Sequence, residues 1–333
     1  MTDLQLTWFL LVGILFAGYS VLDGIDCGVG TLLLGRGHSD EGRRVALGSI
    51  GPATFGNEFW LVAGVAALFT AFPLVRATVL AAFAPLLAAF VLVLVLRAAA
   101  LGSGRASEDV ERPKSRDVTF GVLSVLAAFV PGLILGNVLR GLPLDAQGSY
   151  AGTPGDLLNP FALVLGLEVV ALFALQGACW LNLRAGRELG ERSQDRVLKA
   201  WVAVVAVHGA AGLLSLWIAP HLWKPYHHPL TWVAPVVMLV SLVAVPFLVK
   251  NGLARAALLA SSTVIAALWA IVGQGLYPCI VPALGEVGLS LTISNSSAPP
   301  MVLTSLLLVL LTALSLVAGY SVFVFMRFRR PVA

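Results

Sequence analysis

Asp23 and Asp26 stand three residues apart in "LDGIDCGVG", inside an apolar run from Leu6 to Leu34. On insertion scales an aspartate at the centre of a bilayer costs roughly 2.5–3.5 kcal/mol. A chain that places two there must use them or shield them. At about 100° per residue they lie about 60° apart on one helix face. Such a pair can lead a proton or cation in from one side of the membrane, or it can hydrogen-bond a facing helix. Gly24 and Gly28 fall on a different face, at the G-x-x-x-G spacing that lets two helix backbones approach closely.

A second constellation lies in "IGPATFGNEFWL", residues 50–61. Pro52 opens the next apolar stretch, and Asn57 and Glu58 follow at a depth comparable with that of Asp26. An adjacent amide and acid can hold water, so Asp26 and Glu58 are candidates for one polar cluster; the alternative is a Glu58 solvated at the interface. Further along, Glu168 in "LGLEVVALFALQGACW" either lines an internal cavity with Gln176 or pairs with a polar group on another helix.

Histidine and cysteine limit the metal chemistry. Haem in a membrane needs axial ligands, and of the five histidines only His208 falls deep in an apolar run. His38 belongs to a loop, and His221, His227 and His228 to an outer surface. A bis-histidine haem is therefore not expected from this chain alone, and a lone His208 reads more simply as a hydrogen-bonded helix residue. Cys27, Cys179 and Cys279 form no C-x-x-C and no Cys/His spacing, so no metal site is expected. "GVGTLLLGRG" departs from a dinucleotide fingerprint at Leu33 and follows a helical run, so no nucleotide site is read there. Nothing points to nucleic acid.

The elements that must position these residues are membrane helices. Of 333 residues 59% are hydrophobic and 11% charged, and mean hydropathy is +0.93. That composition excludes a soluble domain. Nine apolar runs are long enough to cross a bilayer: 6–34, 52–73, 75–97, 118–139, 159–183, 198–219, 230–249, 254–277 and 300–326. Arg36, Arg43 and Arg44 follow the first run; Arg97, Arg105, Arg112, Lys114 and Arg116 follow the third; Arg184, Arg187, Arg192, Arg196 and Lys199 follow the fifth. With Lys250, Arg255 and the arginines after the ninth, 18 of the 21 basic residues fall on one side. The positive-inside rule then puts the N-terminus outside and the C-terminus in the cytoplasm. The expected fold is an all-α polytopic membrane protein of nine transmembrane helices, one domain over 1–333. "MTDLQLTWFL" lacks the basic n-region of a cleaved signal, so the first helix is expected to be retained. The polar stretch "GSGRASEDVERPKSRD" reads as a solvated cytoplasmic loop.

Two of these stretches together carry a resemblance. "LDGIDCGVGTLL" followed by "IGPATFGNEFWLVAGVAALFTAFP" resembles the opening of subunit II of the cytochrome bd quinol oxidases, whose motifs read roughly D-G-F-D-x-G-V-G and G-P-x-W-D-G-N-E-x-W-L. "ILGNVLRGLPL", "LLNPFALVLGL" and "SLTISNSS" extend the similarity in order along the chain. The resemblance implies a nine-helix subunit, in a bacterial cytoplasmic membrane, that scaffolds a related subunit I. Subunit I would hold haem b and haem d and oxidise quinol, and this chain would ligate none of them. It also implies contact with quinone and lipid and leaves small accessory subunits open. Asp23 and Asp26 match the aspartates of the first motif, and Asn57, Glu58 and Trp60 match N-E-x-W in the second. These assign Asp23, Asp26, Asn57 and Glu58 to a proton pathway, and Trp60, Glu168 and His208 to internal polar or cavity-lining positions. One departure matters: Phe55 stands where the family commonly has Asp, and Thr54 where Trp is usual, so either Glu58 takes over the entrance or the route is weakened. Two other classes compete. An ion-coupled secondary transporter would use the same carboxylates to bind its coupling ion, and a purely structural partner would use them to join helices.

Overall fold

Every expected apolar run forms a helix. The computed structural model describes residues 3–35, 40–50, 54–102, 114–184, 190–285 and 287–327, which fold into ten α-helices. These are α1 (Asp3–Leu33), α2 (Asp40–Ser49), α3 (Thr54–Ala71), α4 (Pro73–Gly102), α5 (Lys114–Arg140), α6 (Pro160–Arg184), α7 (Gly190–Ile218), α8 (Val233–Lys250), α9 (Ala254–Leu276) and α10 (Pro300–Arg327). Among the described residues, seven helices are long and apolar enough to span a bilayer: α1 and α4 to α9. The described apolar parts of α3 and α10, Gly56–Ala71 and Pro300–Ala313, are shorter. Of the stretch at 102–117, expected as a solvated loop, 103–113 lies outside the described residues, as does His38, whereas Lys114–Asp117 form the first turn of α5 with Asp117 buried.

The exterior is apolar. Val62, Val91, Leu239, Leu259 and Met301 all point outward with more than half of their surface exposed. In water such a surface would drive aggregation; in lipid it is the solvent-facing side.

Helix α1 is the central post, packed against α3, α5, α6 and α9. Its tightest contact is with α6. A Cβ added to Gly28 would come within 1.8 Å of the Phe173 carbonyl oxygen and 2.8 Å of the Gly177 backbone nitrogen, and one added to Gly177 would strike the backbone at Gly28. Gly24 lies under the Phe173 ring on the same side. The G-x-x-x-G stripe thus brings the α1 and α6 backbones together, and the carboxylates of α1 serve other neighbours.

Two features differ from the sequence reading. Arg97, expected at the cytoplasmic loop after the third run, is inside α4 with 2% exposure. The helix continues through "AAALG" to Gly102, so its guanidinium lies in the packed bundle. The segment after α1, expected as plain connection, contains α2, whose Ala46 is buried with Ile50 against Val29, Leu33, Leu101 and Phe120. Arg43 of α2 pairs with Asp117 of α5 and ties this short helix to the bundle.

At the opposite end a small cap closes the bundle. Strands β1 (Cys279–Val281) and β2 (Leu291–Thr292) pair antiparallel. Leu142 joins them to the α5–α6 connection by donating to the Pro282 carbonyl and accepting from Leu284 (2.9 and 2.8 Å). Asn137 donates to the Leu157 carbonyl at 2.8 Å and accepts from Asn159 at 2.8 Å, fixing the start of α6.

Candidate functional site

Near the α1–α2 end, three helices converge on a buried polar cluster. Asp23 has no exposed surface and Asp26 only 4%. A charge with no solvent needs a partner, since its desolvation costs several kcal/mol. Asp23 has one: Arg97 of α4 donates from Nη2 to Oδ1 at 2.9 Å and from Nη1 to Oδ2 at 3.2 Å, a two-pronged pair. The Cys27 thiol donates to Asp23 Oδ2 at 3.2 Å from one turn further along. Asp26 turns to α3, where Asn57 Nδ2 donates to its Oδ2 at 2.8 Å.

The two aspartates therefore share a face but address different helices. Glu58, beside Asn57 and half-buried, is within electrostatic reach of Asp23 and Arg97. Tyr19, one turn before Asp23, is buried beside the same ion pair. Among the described residues, the Tyr19 hydroxyl and Arg97 Nε have no hydrogen-bond partner. Buried polar atoms of this kind are the ones that bind internal water. The cluster thus joins an amide, three carboxylates, one guanidinium and a phenol across α1, α3 and α4. Thr54 and Phe55 belong to α3, but their side chains lie outside the described residues.

The remaining candidates are elsewhere. Trp60 is half-buried, and its indole packs on Gly18, where an added Cβ would come within 2.6 Å of the ring. Glu168 of α6 contacts His208 of α7, Oε1 to Nδ1 at 2.6 Å, with the carboxylate buried and the histidine one-third exposed. Gln176 lies eight residues further along α6, roughly 12 Å at 1.5 Å per residue. There it takes a hydrogen bond from the Ser261 hydroxyl, donates to Ser262 Oγ at 2.8 Å and reaches the Val21 carbonyl at 3.3 Å. Glu168 and His208 form a separate pair.

Sequence reasoning missed Arg97 and Tyr19. A signal for the first was present: five apolar or small residues, "AAALG", follow Arg97 before the chain turns polar, enough for another helical turn inside the bundle.

Among the described residues, the donor set does not fit a haem held by this chain. His208 is mid-helix with Nδ1 engaged by Glu168. Helix α7 ends at Ile218, ten residues and roughly 15 Å along the axis from His208, and His221, His227 and His228 lie beyond it, in and between the two 3-10 segments. No group of three or more His, Cys, Asp or Glu among the described residues could hold a metal ion.

Comparison with known proteins shows the family and the fold. The family model described as cytochrome bd terminal oxidase subunit II matches residues 4–328. Over 220 residues the chain is 35% identical to cytochrome bd-I ubiquinol oxidase subunit 2 of Escherichia coli, covering 63% of this chain and 56% of that protein. It is 34% identical over 220 residues to cytochrome bd ubiquinol oxidase subunit 2 of Bacillus subtilis, covering 64% and 63%. The alignments thus span less than two-thirds of either relative. A chain of the solved bd oxidase from Geobacillus thermodenitrificans superposes with a TM-score of 0.80 over 100% of both chains at 14% identity, which shows a shared fold. With seven long apolar helices and bacterial relatives, this is a multi-pass bacterial membrane protein. It belongs to the cytochrome bd terminal oxidase subunit II family.

Proposed function

We propose that this chain is the second subunit of a quinol-oxidising, oxygen-reducing complex in the bacterial cytoplasmic membrane. It crosses nine times with its N-terminus outside, scaffolds a subunit I that holds haem b and haem d, and ligates no haem itself. The observation that carries the reading, in a member of this family, is the buried cluster joining Asp26 to Asn57 and Asp23 to Arg97 near the α1–α2 end. The basic loops put that end in the cytoplasm.

Within the cluster the residues divide the work. Haem in subunit I supplies the oxygen chemistry, which consumes protons. Glu58, half-buried near the start of α3, takes protons from the cytoplasmic side. Asp26 receives them through internal water, its Oδ2 oriented by Asn57. Asp23 is held by two hydrogen bonds from Arg97, and that fixed pair sets the field beside Asp26 and carries no proton itself. Glu58 stands in for the family aspartate replaced here by Phe55. Because quinol releases its protons outside and oxygen takes up protons from inside, turnover of this kind builds a gradient without a pump.

Co-expression with subunit I and purification through a tag on this chain tests the assembly. Reduced-minus-oxidised spectra are expected to show haem b and d bands co-purifying; a haem-free protein without a second large subunit overturns the oxidase reading. Asp26→Asn and Glu58→Gln are then expected to keep the haem spectrum while quinol-driven oxygen uptake falls about tenfold or more, a barrier increase of about 1.4 kcal/mol. Full uptake in both variants would leave scaffolding and remove the proton route.

A further inference from the structure

The outward face of α8 and α9 carries a groove of about 540 Å³ that the oxidase reading does not use. It is lined by the small side chains of Ala234, Ala266, Ala267 and Ala270 together with Val233 and Val237. Gln274 lies at one end of its α9 side and Thr263 at the other. Eleven residues of helix separate them, roughly 16 Å at 1.5 Å per residue. That is about half the ≈30 Å hydrocarbon thickness, the depth of one leaflet.

The end at Gln274 adjoins a turn of distinctive chemistry. After Ile218 the chain runs "APHLWKPYHHPLTW" in two 3-10 segments, Pro220–His227 and Pro229–Trp232. Leu230 of that turn lines the groove itself. Trp223, Tyr226 and Trp232 pack in series as tilted pairs, with centroids 5.9 and 5.3 Å apart. Tryptophan and tyrosine gather at the headgroup level of a bilayer. Lys224, His227 and His228 are exposed on the same turn, and Lys224 gives that turn a fixed positive charge. Gln274 adds an amide whose Oε1 is buried without a hydrogen-bond partner, an acceptor that a side-chain rotation offers to a headgroup donor.

We infer that this groove is a phospholipid site: one acyl chain lies along α8 and α9, and the phosphate headgroup rests on the Lys224 turn. An apolar groove one leaflet deep, beside a turn that carries aromatic rings and an exposed cation, matches an amphiphile with an anionic end. The inference needs only that the bundle spans a membrane; it holds for either sidedness and is independent of the oxidase chemistry.

Native mass spectrometry of the full chain in its purified assembly, with lipid extraction, tests it. The wild-type protein is expected to retain one phospholipid per chain at this site. Ala266→Leu with Ala270→Leu fills an exposed stretch of the groove and is expected to lower occupancy at least fivefold, with the thermal midpoint of the assembly unchanged. Lys224→Gln is expected to weaken binding of a phospholipid added from vesicles, more for an anionic headgroup than for a zwitterionic one. Undiminished phospholipid in the filled variant overturns the site. A quinone as the retained molecule, lost on filling, overturns the assignment of the occupant.

Discussion

At the scale of single residues, the least replaceable pair is Asp23 with Arg97. Breaking a buried, hydrogen-bonded ion pair from one side strands the other charge and costs about 3–5 kcal/mol, whereas replacing both members by apolar groups of similar volume is often neutral. Arg97→Met is therefore expected to lower the thermal midpoint and the yield of folded protein in mild detergent sharply. The double variant Asp23→Leu, Arg97→Met should recover most of that loss. A double variant no better than the worse single one would show that the pair is not the coupled unit described here. The sequence made half of this arrangement readable. Two aspartates in an apolar run announce that partners exist, because solitary charges are too costly at that depth. Nothing local names the partner: Arg97 is 74 residues away, and a positive-inside count treats any arginine near a helix end as loop. The Asn57 bond to Asp26 was more accessible, since both residues were placed at one depth before any helix was packed. Glu168 and His208 show the opposite limit, each legible as a polar residue in a span, with their contact decided by how α6 and α7 rotate.

At the scale of elements, the crossing of α1 and α6 sets where the carboxylates can point. Gly28 has no room for a side chain, because the nearest atoms are backbone atoms of Phe173 and Gly177 that cannot rotate away. Gly28→Ala is expected to push the helices apart at a cost of about 1–3 kcal/mol, the usual range for overpacking. Gly13 on the same helix has nothing within 4 Å of its would-be Cβ, so Gly13→Ala should gain up to about 1 kcal/mol of helix propensity. Thermal midpoints moving in opposite directions for the two variants would confirm the crossing; parallel shifts would refute it. The stripe of Gly24 and Gly28 was legible as a contact face from spacing alone. Its partner Gly177 was not, since "LQGACW" shows one small-residue cluster among many. The helix α2 was hidden for another reason: "DEGRRVALGS" is polar on average, and its one apolar edge finds a place only after α1, α4 and α5 are assembled.

At the scale of the whole molecule, the question is how the bundle sits in the membrane. Helices α3 and α4 are joined through Phe72 alone, so they run as an antiparallel hairpin. The 18 residues of α3 extend roughly 27 Å at 1.5 Å per residue, close to the ≈30 Å hydrocarbon thickness. In the nine-crossing reading proposed above, both arms of this hairpin cross the bilayer, and α10, with 28 residues, is longer still. The nine crossings proposed above would put α2 and the tight turn at Asp145 on opposite faces. By the positive-inside rule, the basic residues after α1, α4 and α6 would then put α2 in the cytoplasm. Burying Arg97 takes one charge from the 18 counted on that side, against three on the other, and leaves the sign unchanged. In a background without native cysteines, Asp145→Cys is expected to react with a membrane-impermeant maleimide on intact cells. Arg44→Cys, on the exposed side of α2, should react only after the cells are opened. Both positions labelling from outside would mean that one helix between them does not cross, and labelling of Arg44→Cys alone would invert the molecule. Inversion would also place the Asp26–Asn57 cluster on the side where quinol releases its protons, so this labelling pattern decides whether the buried carboxylates can draw from the cytoplasm at all.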